Sequence, residues 1–456
     1  MQLITETTSY GKAQDTIDTN TNSVAKKRSH KNISLLLKTA TGCLLGASTL
    51  VHSDENTSFF SGWETDVALL GYNEVDRVSA LEPAISSRKT FDDESVFAVK
   101  LVLDSLTGAS PNGAAPSNSV QTFTRPSGNG SYQTAVGENA LDDTFHDTRV
   151  SISASYEHGL GRFNKMIWGG NVSNEFDFFS TGASLTYLHD FNNRNTTLSV
   201  GFGGEYDIIS AVGGIPVPLA QMQAVGETQP KGEDSDNRFL AEILVGVTQV
   251  VNRETIMVFN YGFGQSSGYH NDPYKITSVV DDVTGENIAG DSLTGLYLYD
   301  SRPDQRTKHS FYSKIKRALG RDSADFSYRY MFDDWGVDSH TFNVTYRKNF
   351  DGWYIEPHAR YYMQSAADFY RHSITESEVA SLGDYLTSDY RLAEMWSTTL
   401  GLKVGFKTPN GNKNSIRLEY YHQDGETSPS DAVGVQKNYD LYPTMDALIV
   451  QYTYSF

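Results

Sequence analysis

Apolar and polar residues alternate along most of the chain, in segments of about ten residues that recur roughly every 15 to 25 residues. The clearest segment has Val150, Ile152, Ala154 and Tyr156 on one face and Arg149, Ser151, Ser153 and Ser155 on the other. Successive side chains of a strand point to opposite sides, so this period predicts β-strands with one apolar face. A soluble β-sandwich shows the same alternation, so the period alone does not predict how the strands assemble.

The pattern predicts sixteen strands, and fourteen or eighteen remain open because strand ends are poorly defined by sequence. The predicted strands cover residues 62–74, 78–88, 94–106, 146–157, 162–174, 177–190, 195–209, 238–251, 254–267, 307–318, 322–333, 337–349, 352–364, 393–407, 413–424 and 445–456.

Short and long connections alternate between these strands. Short turns lie at residues 157–161, 191–194, 252–253, 318–321, 350–352 and 409–412, and long links cover 107–144, 210–236, 269–306, 366–392 and 425–444. Outer-membrane barrels have this arrangement, together with aromatic residues at the two lipid interfaces. Because lipid offers the backbone no hydrogen-bond partner, strands at membrane depth must pair all round. The predicted fold is therefore an all-β, transmembrane, antiparallel up-and-down β-barrel.

The last segment ends with Leu448, Val450, Tyr452, Tyr454 and Phe456 on one face. A terminal Phe456 on an alternating strand resembles the signal by which the barrel assembly machinery takes up its substrates. An ordinary hydrophobic C-terminal strand is the alternative interpretation. We expect that machinery, outer-membrane lipid and lipopolysaccharide as partners, with both barrel termini in the periplasm and the long loops outside.

Residues 1–53 have the layout of an N-terminal extension and signal peptide, followed by a single barrel domain at 54–456. A basic cluster at 26–31 precedes the apolar residues 33–37 and an uncharged run at 39–51. We expect export and cleavage after Ser53. A membrane anchor is disfavoured by Lys38, and a lipoprotein site at Cys43 by Ala40, where a large aliphatic residue is usual. About 25 polar residues before the basic cluster leave the true start open.

Composition narrows the class of protein further. Tyr, Phe and Trp number 27, 23 and 5 and make up 12% of the 456 residues, which excludes global disorder. No apolar stretch of about 18 residues follows the N-terminal region, so a polytopic helical transporter is excluded. The net charge of −19 disfavours a nucleic-acid partner.

Several longer motifs resemble those of a family of Gram-negative outer-membrane β-barrel proteins of unknown function. The motifs lie at residues 104–114 (DSLTGASPNGA), 147–149, 299–306 (YDSRPDQR), 328–330, 333–336 and 360–370 (RYYMQSAADFY). The resemblance covers about residues 60–456 and implies fold and location, since the family has no established activity to transfer. Members are sometimes associated with envelope thioredoxin-like and flavin-transfer proteins, which makes an envelope redox protein a candidate partner.

A barrel of sixteen strands is wide enough for an aqueous channel, so we expect a porin-like channel for passive or partner-assisted solute passage. The candidate pore-lining residues are Arg149, Arg329, Arg347, Arg360, Glu356, His358, Lys403, Arg417 and Glu419, joined by Glu205. Arg329, Arg347 and Arg360 are predicted to form a basic ladder. Its candidate counter-charges are Asp300, Asp304, Asp333 and Asp334, on loops that also carry Arg302. The alternative is that these residues form ion pairs that only tie the wall together.

Other functions have less support. A non-enzymatic receptor, assembly protein or envelope redox partner with acidic binding loops is the first alternative, and a hydrolase using His309, His340 or His358 is the second. We expect no enzyme, because no histidine has diagnostic spacing. Residues 108–114 lack the lysine of a phosphate loop, and neither an EF-hand nor a zinc motif occurs, so no cofactor or metal is expected. A homo-oligomer remains open.

Overall fold

The computed structural model describes residues 62–288 and 295–456. The strands found there are β1 (Trp63–Glu74), β2 (Ser79–Thr90), β3 (Val96–Pro111), β4 (Gln121–Thr124), β5 (Ser131–Thr134), β6 (Leu141–Gly159), β7 (Asn164–Asn174), β8 (Phe178–Phe191), β9 (Thr196–Ile209), β10 (Asp236–Asn252), β11 (Thr255–Gly268), β12 (Ile276–Val280), β13 (Tyr297–Tyr299), β14 (Gln305–Leu319), β15 (Asp322–Asp333), β16 (Asp338–Asn349), β17 (Trp353–Gln364), β18 (Ser373–Thr375), β19 (Met395–Lys407), β20 (Lys413–Gly425) and β21 (Met445–Ser455).

Sixteen of these strands form one closed antiparallel barrel, as predicted. The order around the barrel is β1, β2, β3, β6, β7, β8, β9, β10, β11, β14, β15, β16, β17, β19, β20 and β21. Pairing of β1 with β21 closes the ring. Beside this pairing, the amide of Thr65 donates to the carbonyl of Phe456 at 2.8 Å. We call the end of the barrel that carries the short turns the turn end and the other the loop end.

The outer surface of the barrel is apolar. Phe202 and Ile243 are register partners on neighbouring strands and are 54% and 40% exposed. Outward tyrosine and tryptophan side chains lie towards the two ends of the strands, at Tyr206, Tyr361, Trp396 and Tyr420 near the loop end and at Tyr156, Tyr187, Trp353 and Tyr452 near the turn end. Amphipathic rings favour the membrane–water interfaces, so this surface fits a transmembrane barrel.

Two strands are longer than predicted. The sequence pattern predicts that the third barrel strand ends near residue 106 and that the fourth begins near residue 146. In the structure, β3 runs to Pro111 and β6 begins at Leu141. A bulge between Gly108 and Ser110 lets the pairing continue. Gly108 has φ +145°, and a Cβ atom there would lie 2.1 Å from the carbonyl oxygen of Arg77, so the site requires glycine.

The described parts of the five long loops, which cover residues 112–140, 210–235, 269–304, 365–394 and 426–444, fold together at the loop end. We call this assembly the cap. Within it, β12 pairs with β13 and β18, and β4 pairs with β5. The sequence pattern does not predict these short strands, because β12 is buried along its whole length and has no alternation. The loops also contain a short helix, α1 (Glu376–Val379), and the 3-10 turns Tyr390–Leu392 and Gly434–Asn438.

The cap has apolar cores of its own. The ring of Phe123 lies 5.2 Å from that of Tyr132 and 4.9 Å from that of Tyr297, which belong to different loops. The amide of Ile276 donates to the carbonyl of Asn112 at 2.9 Å. The loops of these two residues leave β3 and β11, which lie six places apart around the ring. The cap therefore crosses the mouth of the barrel. In the described ranges, no helix is both long and apolar enough to cross a bilayer.

Candidate functional site

A network of buried charges joins two cap loops above the barrel mouth. The guanidinium of Arg302 lies 2.7 Å from Asp300 and 2.9 Å from Asp389, whose side chains are each 1% exposed. Arg391 lies 2.6 Å from Asp272 and also contacts Asp389. These residues come from loops 269–304 and 365–394, which are separated around the barrel by β14, β15, β16 and β17. The network therefore holds two distant parts of the ring together.

Burial shifts the acid–base properties of this network. Loss of solvation raises the pKa of Asp300 to about 6, although Arg302 opposes the shift. Burial also raises the pKa of Asp272 and lowers that of Arg391 to about 9. Charges that are costly to bury depend on their partners, so removing one member leaves the others uncompensated.

A cavity of about 270 Å³ lies between this network and the barrel wall. The cap contributes Asp272, Arg302, Asp389 and Arg391 to its lining, and the strands contribute residues near the loop end, among them Arg238, Arg306, Met331, Tyr362 and Gln364. The face of each strand that carries these residues is therefore the inner face of the barrel. The cavity has charged groups along a lining that is also partly apolar, and it is large enough for a small solute.

A second group of buried carboxyls lies beside the cavity, in the short loop between β7 and β8. Burial raises the pKa of Asp177 to about 7, and Tyr274 opposes the shift by hydrogen-bonding to its carboxyl. Burial, and then the neighbouring Asp147, raise the pKa of Glu175 to about 9. Tyr274 belongs to loop 269–304, so this contact also fastens the cap to the barrel rim.

Several predicted pore-lining residues pair with one another on the inner wall. The Arg347 guanidinium lies 2.5 Å from Glu356, and Nδ1 of His358 lies 3.1 Å from Glu419. Arg417 lies 3.9 Å from Glu419. Arg149 pairs with Asp104, which the sequence analysis did not single out. Lys403 is a register partner of both Glu356 and Arg417.

The predicted loop residues contact groups other than the arginines of the basic ladder. Asp300 pairs with Arg302, and Asp333 lies 2.5 Å from Arg306. Asp334 accepts a hydrogen bond from the amide of Thr307 at 2.9 Å, and the main-chain carbonyl of Asp304 accepts one from Gly268. Local arginines therefore pair with Asp300 and Asp333, where the basic ladder was expected. In the described part of the chain, no ion pair joins Arg329, Arg347 or Arg360 to the four loop carboxylates. Selection of solutes by the inner-wall charges stays a prediction.

Sequence reasoning missed the cap residues Asp272, Asp389 and Arg391, together with Asp177 in the β7–β8 loop and Arg306 on β14. None of them lies on an alternating segment whose pattern predicts a partner. Asp389 and Arg391 flank a tyrosine in an irregular loop, and Arg302 contacts Asp389 across 87 positions of sequence. The one usable signal was the motif at 299–306, which contains Arg302 and Arg306.

The three candidate histidines contact groups other than serine in the described part of the chain, and His358 lies beside Glu419. His309 and His340 contact the hydroxyls of Tyr261 and Tyr328. A serine–histidine contact occurs at His270 instead, whose Nε2 lies 2.7 Å from Ser266 Oγ. Burial lowers the pKa of His270 to about 4, which makes it a weak base at neutral pH, and His270 but not Ser266 lines the cavity. In the described ranges no three His, Cys, Asp or Glu side chains are arranged to hold a metal ion.

The chain belongs to the family described as "Protein of unknown function (DUF3570)", whose model matches residues 34–456. This confirms the resemblance predicted from the motifs. No curated protein matches the sequence.

Similar solved structures are outer-membrane barrels. A bacterial polysaccharide outer membrane secretin is 9% identical, with a TM-score of 0.39 over 86% of this chain and 97% of that one. The outer membrane protein opdK from Pseudomonas aeruginosa is 9% identical, with a TM-score of 0.37 over 86% and 98%. The siderophore receptor PirA from Acinetobacter baumannii is 8% identical, with a TM-score of 0.39, and 79% of this chain covers 53% of that one.

Proposed function

We propose that the protein is a solute channel of the bacterial outer membrane, with its loop end outside and its turn end in the periplasm. The observation that carries the proposal is a closed sixteen-stranded barrel whose exterior is apolar and whose inner wall carries charged side chains from the cavity towards the turn end. Lipid stabilises the exterior, and charged residues on the inner wall are stable where water fills the lumen.

The cap determines how this channel works. It crosses the mouth and is fastened by buried ion pairs, so solute enters by way of the cavity or after the cap loosens. The contacts that join the cap to the barrel involve residues near the rim, such as Pro111 and Gln364. Closer to the turn end, charged residues of the inner wall pair with each other, as Arg347 does with Glu356. A rim-mounted cap constricts the entrance rather than filling the bore.

Export through the segment at 1–53, assembly through Phe456, and contact with lipopolysaccharide or envelope redox proteins belong to the same proposal. Residues 1–53 lie outside the described part of the chain. The proposal assigns the protein no catalytic role, because the Ser266–His270 contact lacks a base suited to neutral pH.

Planar-bilayer recording tests the proposal. Purified protein is reconstituted and its single-channel conductance is compared with that of an Arg302→Ala variant, which removes a central cation of the cap. We expect discrete conductance steps that become larger or more frequent in the variant. If neither protein conducts although both are folded and inserted, the channel proposal is wrong.

Such a failure would favour the receptor alternative. One observation points in that direction: the outer surface of the cap exposes Val283 and Tyr385, at 81% and 44%. A barrel that does not conduct, with a covered mouth and exposed apolar cap residues, is better suited to binding a partner than to transport.

A further inference from the structure

We infer that Arg329 and Arg360 form a binding site for the oxyanion group of a small solute, a carboxylate or a phosphate, on the inner wall below the cap. The inference deepens the proposed channel function and rests on it for its role in transport. The evidence is the position of the two guanidiniums, their lack of anionic partners, and their closeness to the cavity.

Both arginines face the lumen. Phe326 on β15 and Tyr361 on β17 are 43% and 41% exposed on the apolar exterior, so the side chains of Arg329 and Arg360, at positions of the opposite parity, point inward. Arg360 also shares its face with Tyr362, which lines the cavity.

The two guanidiniums reach over the same strand. Arg329 is the register partner of Thr341 on β16, and Arg360 is the partner of Asn343 on the same strand. The backbones of β15 and β17 are therefore roughly 10 Å apart, at about 4.8 Å per strand. The inward residues between them, Thr341 and Asn343, are short. Two long cationic side chains thus flank a shallow polar depression.

The wall neutralises the positive charge of this pair only in part. Within the described residues neither Arg329 nor Arg360 forms an ion pair, and the contact found for Arg329 is with the ring of Tyr312, at 5.6 Å. Of the neighbouring carboxylates, Glu356 binds Arg347. Glu419 attracts Arg360 but contacts His358 and Arg417, so it offsets the charge of the pair only partly. Across β15 to β20 the unpaired arginines therefore add to a wall that is already rich in cations.

The pair lies on the path from the cavity. Tyr362 lines the cavity and is two residues from Arg360, about 7 Å along the strand. Tyr362 is also a register partner of Thr341, which lies beside Arg329. A solute that leaves the cavity towards the turn end therefore meets these two guanidiniums, and paired guanidiniums suit carboxylate and phosphate oxygens.

Isothermal titration calorimetry of the full chain in detergent tests the site, with inorganic phosphate and succinate as separate probes at low salt. We expect saturable binding to the native protein and a loss of affinity of about tenfold or more in Arg329→Gln and in Arg360→Gln. Arg347→Gln is the matched control, because its charge is already paired with Glu356, and should change the affinity less than about threefold. Circular dichroism and heat-modified gel mobility check that each variant is folded.

The outcomes separate the site from the channel. Equal losses in all three folded variants, or no binding of either probe to the native protein, would overturn the site. Binding that requires both arginines in a protein without conductance would support the site and contradict the channel. If the Arg329→Gln, Arg360→Gln double variant conducts with an unchanged anion preference, the result would support the channel and contradict the site.

Discussion

The guanidinium of Arg302 lies 2.9 Å from the carboxylate of Asp389 and joins two cap loops that are rooted on strands β11 and β17. Both side chains are nearly inaccessible to water, at 10% and 1% exposure. A buried pair of this kind resists separation chiefly because either partner alone would be an uncompensated buried charge. The cap is therefore expected to open as a unit when one partner is removed.

The first prediction concerns Arg302→Ala. Loss of the guanidinium leaves Asp300 and Asp389 without this partner and should cost about 3–5 kcal/mol of cap stability. Limited proteolysis of the folded protein in detergent should cut the cap loops faster, with the barrel strands still protected. Arg321→Ala is the control, because its ion pair with Asp351 is exposed at the turn end, and it should not change the cleavage rate. Equal cleavage of the Arg302→Ala variant and the native protein would contradict the proposed role of Arg302 in holding the cap closed.

The second prediction uses a disulfide to lock the cap. Ser278 on β12 and Ser373 on β18 are register partners, so their Cα atoms lie at about the spacing of neighbouring strands, which a disulfide can bridge. Cys43 is the sole native cysteine and can be replaced by serine. Oxidation of Ser278→Cys, Ser373→Cys should lower the conductance, and a reductant should restore it. The two single-cysteine variants, treated identically, should not respond.

The third prediction is a pH dependence that arises at Asp177. Its folded pKa of about 7 lies above the ordinary value of 3.8, so between these values the closed cap binds a proton that the opened state releases. Closure is therefore favoured at low pH and is lost as the pH rises through 7. Glu175 contributes in the same direction, from about pH 4.5 up to its folded pKa of about 9. The lowered pKa of His270 has the opposite effect, but only below about pH 6.5.

Conductance recorded from pH 6 to 8 should show this effect. From pH 6 to 7 channel opening should increase by at most about a hundredfold, since Asp177 and Glu175 each release up to one proton, and above pH 7 the contribution of Asp177 is complete. Asp177→Asn keeps an acceptor for the Tyr274 hydroxyl and should reduce the slope between pH 6 and 7 to that of Glu175, at most about tenfold per unit. Asp281→Asn is the control, because hydrogen bonds from Thr284 and Val283 lower the pKa of Asp281 and keep it ionised throughout this range. An unchanged profile in Asp177→Asn would remove Asp177 from the mechanism.

The sequence predicted the barrel much better than the cap, for a physical reason. A strand between lipid and water must alternate, so segments such as 149–156 show in the residue order which side faces lipid. Residues of the cap are buried against each other in no fixed period, as in β12, and their partners depend on how distant loops meet. Glu356 and His358 could be assigned to the inner wall from parity, whereas the pairing of Arg302 with Asp389 required the folded loops.

The last prediction tests which side of the wall faces lipid, at two adjacent residues. Ile243 and Leu244 on β10 are almost equally exposed, at 40% and 42%. Ile243 pairs with Phe202 on the apolar exterior, whereas Leu244 has the same parity as Arg238, which lines the cavity, and pairs with Gly201. Exposure alone does not distinguish these residues, but the alternation of the strand assigns one to lipid and the other to water.

Arginine at the two positions should therefore have different effects. Ile243→Arg places a charge against the acyl chains and should lower the free energy of unfolding in lipid vesicles by about 2–4 kcal/mol if the residue lies near the bilayer midplane. Leu244→Arg places the same charge in the aqueous lumen and should leave that free energy almost unchanged while shifting the ion selectivity. Urea titrations of both variants in the same vesicles provide the comparison. Equal destabilisation by the two substitutions would show that the inner face is not wet, and the channel proposal would fail with it.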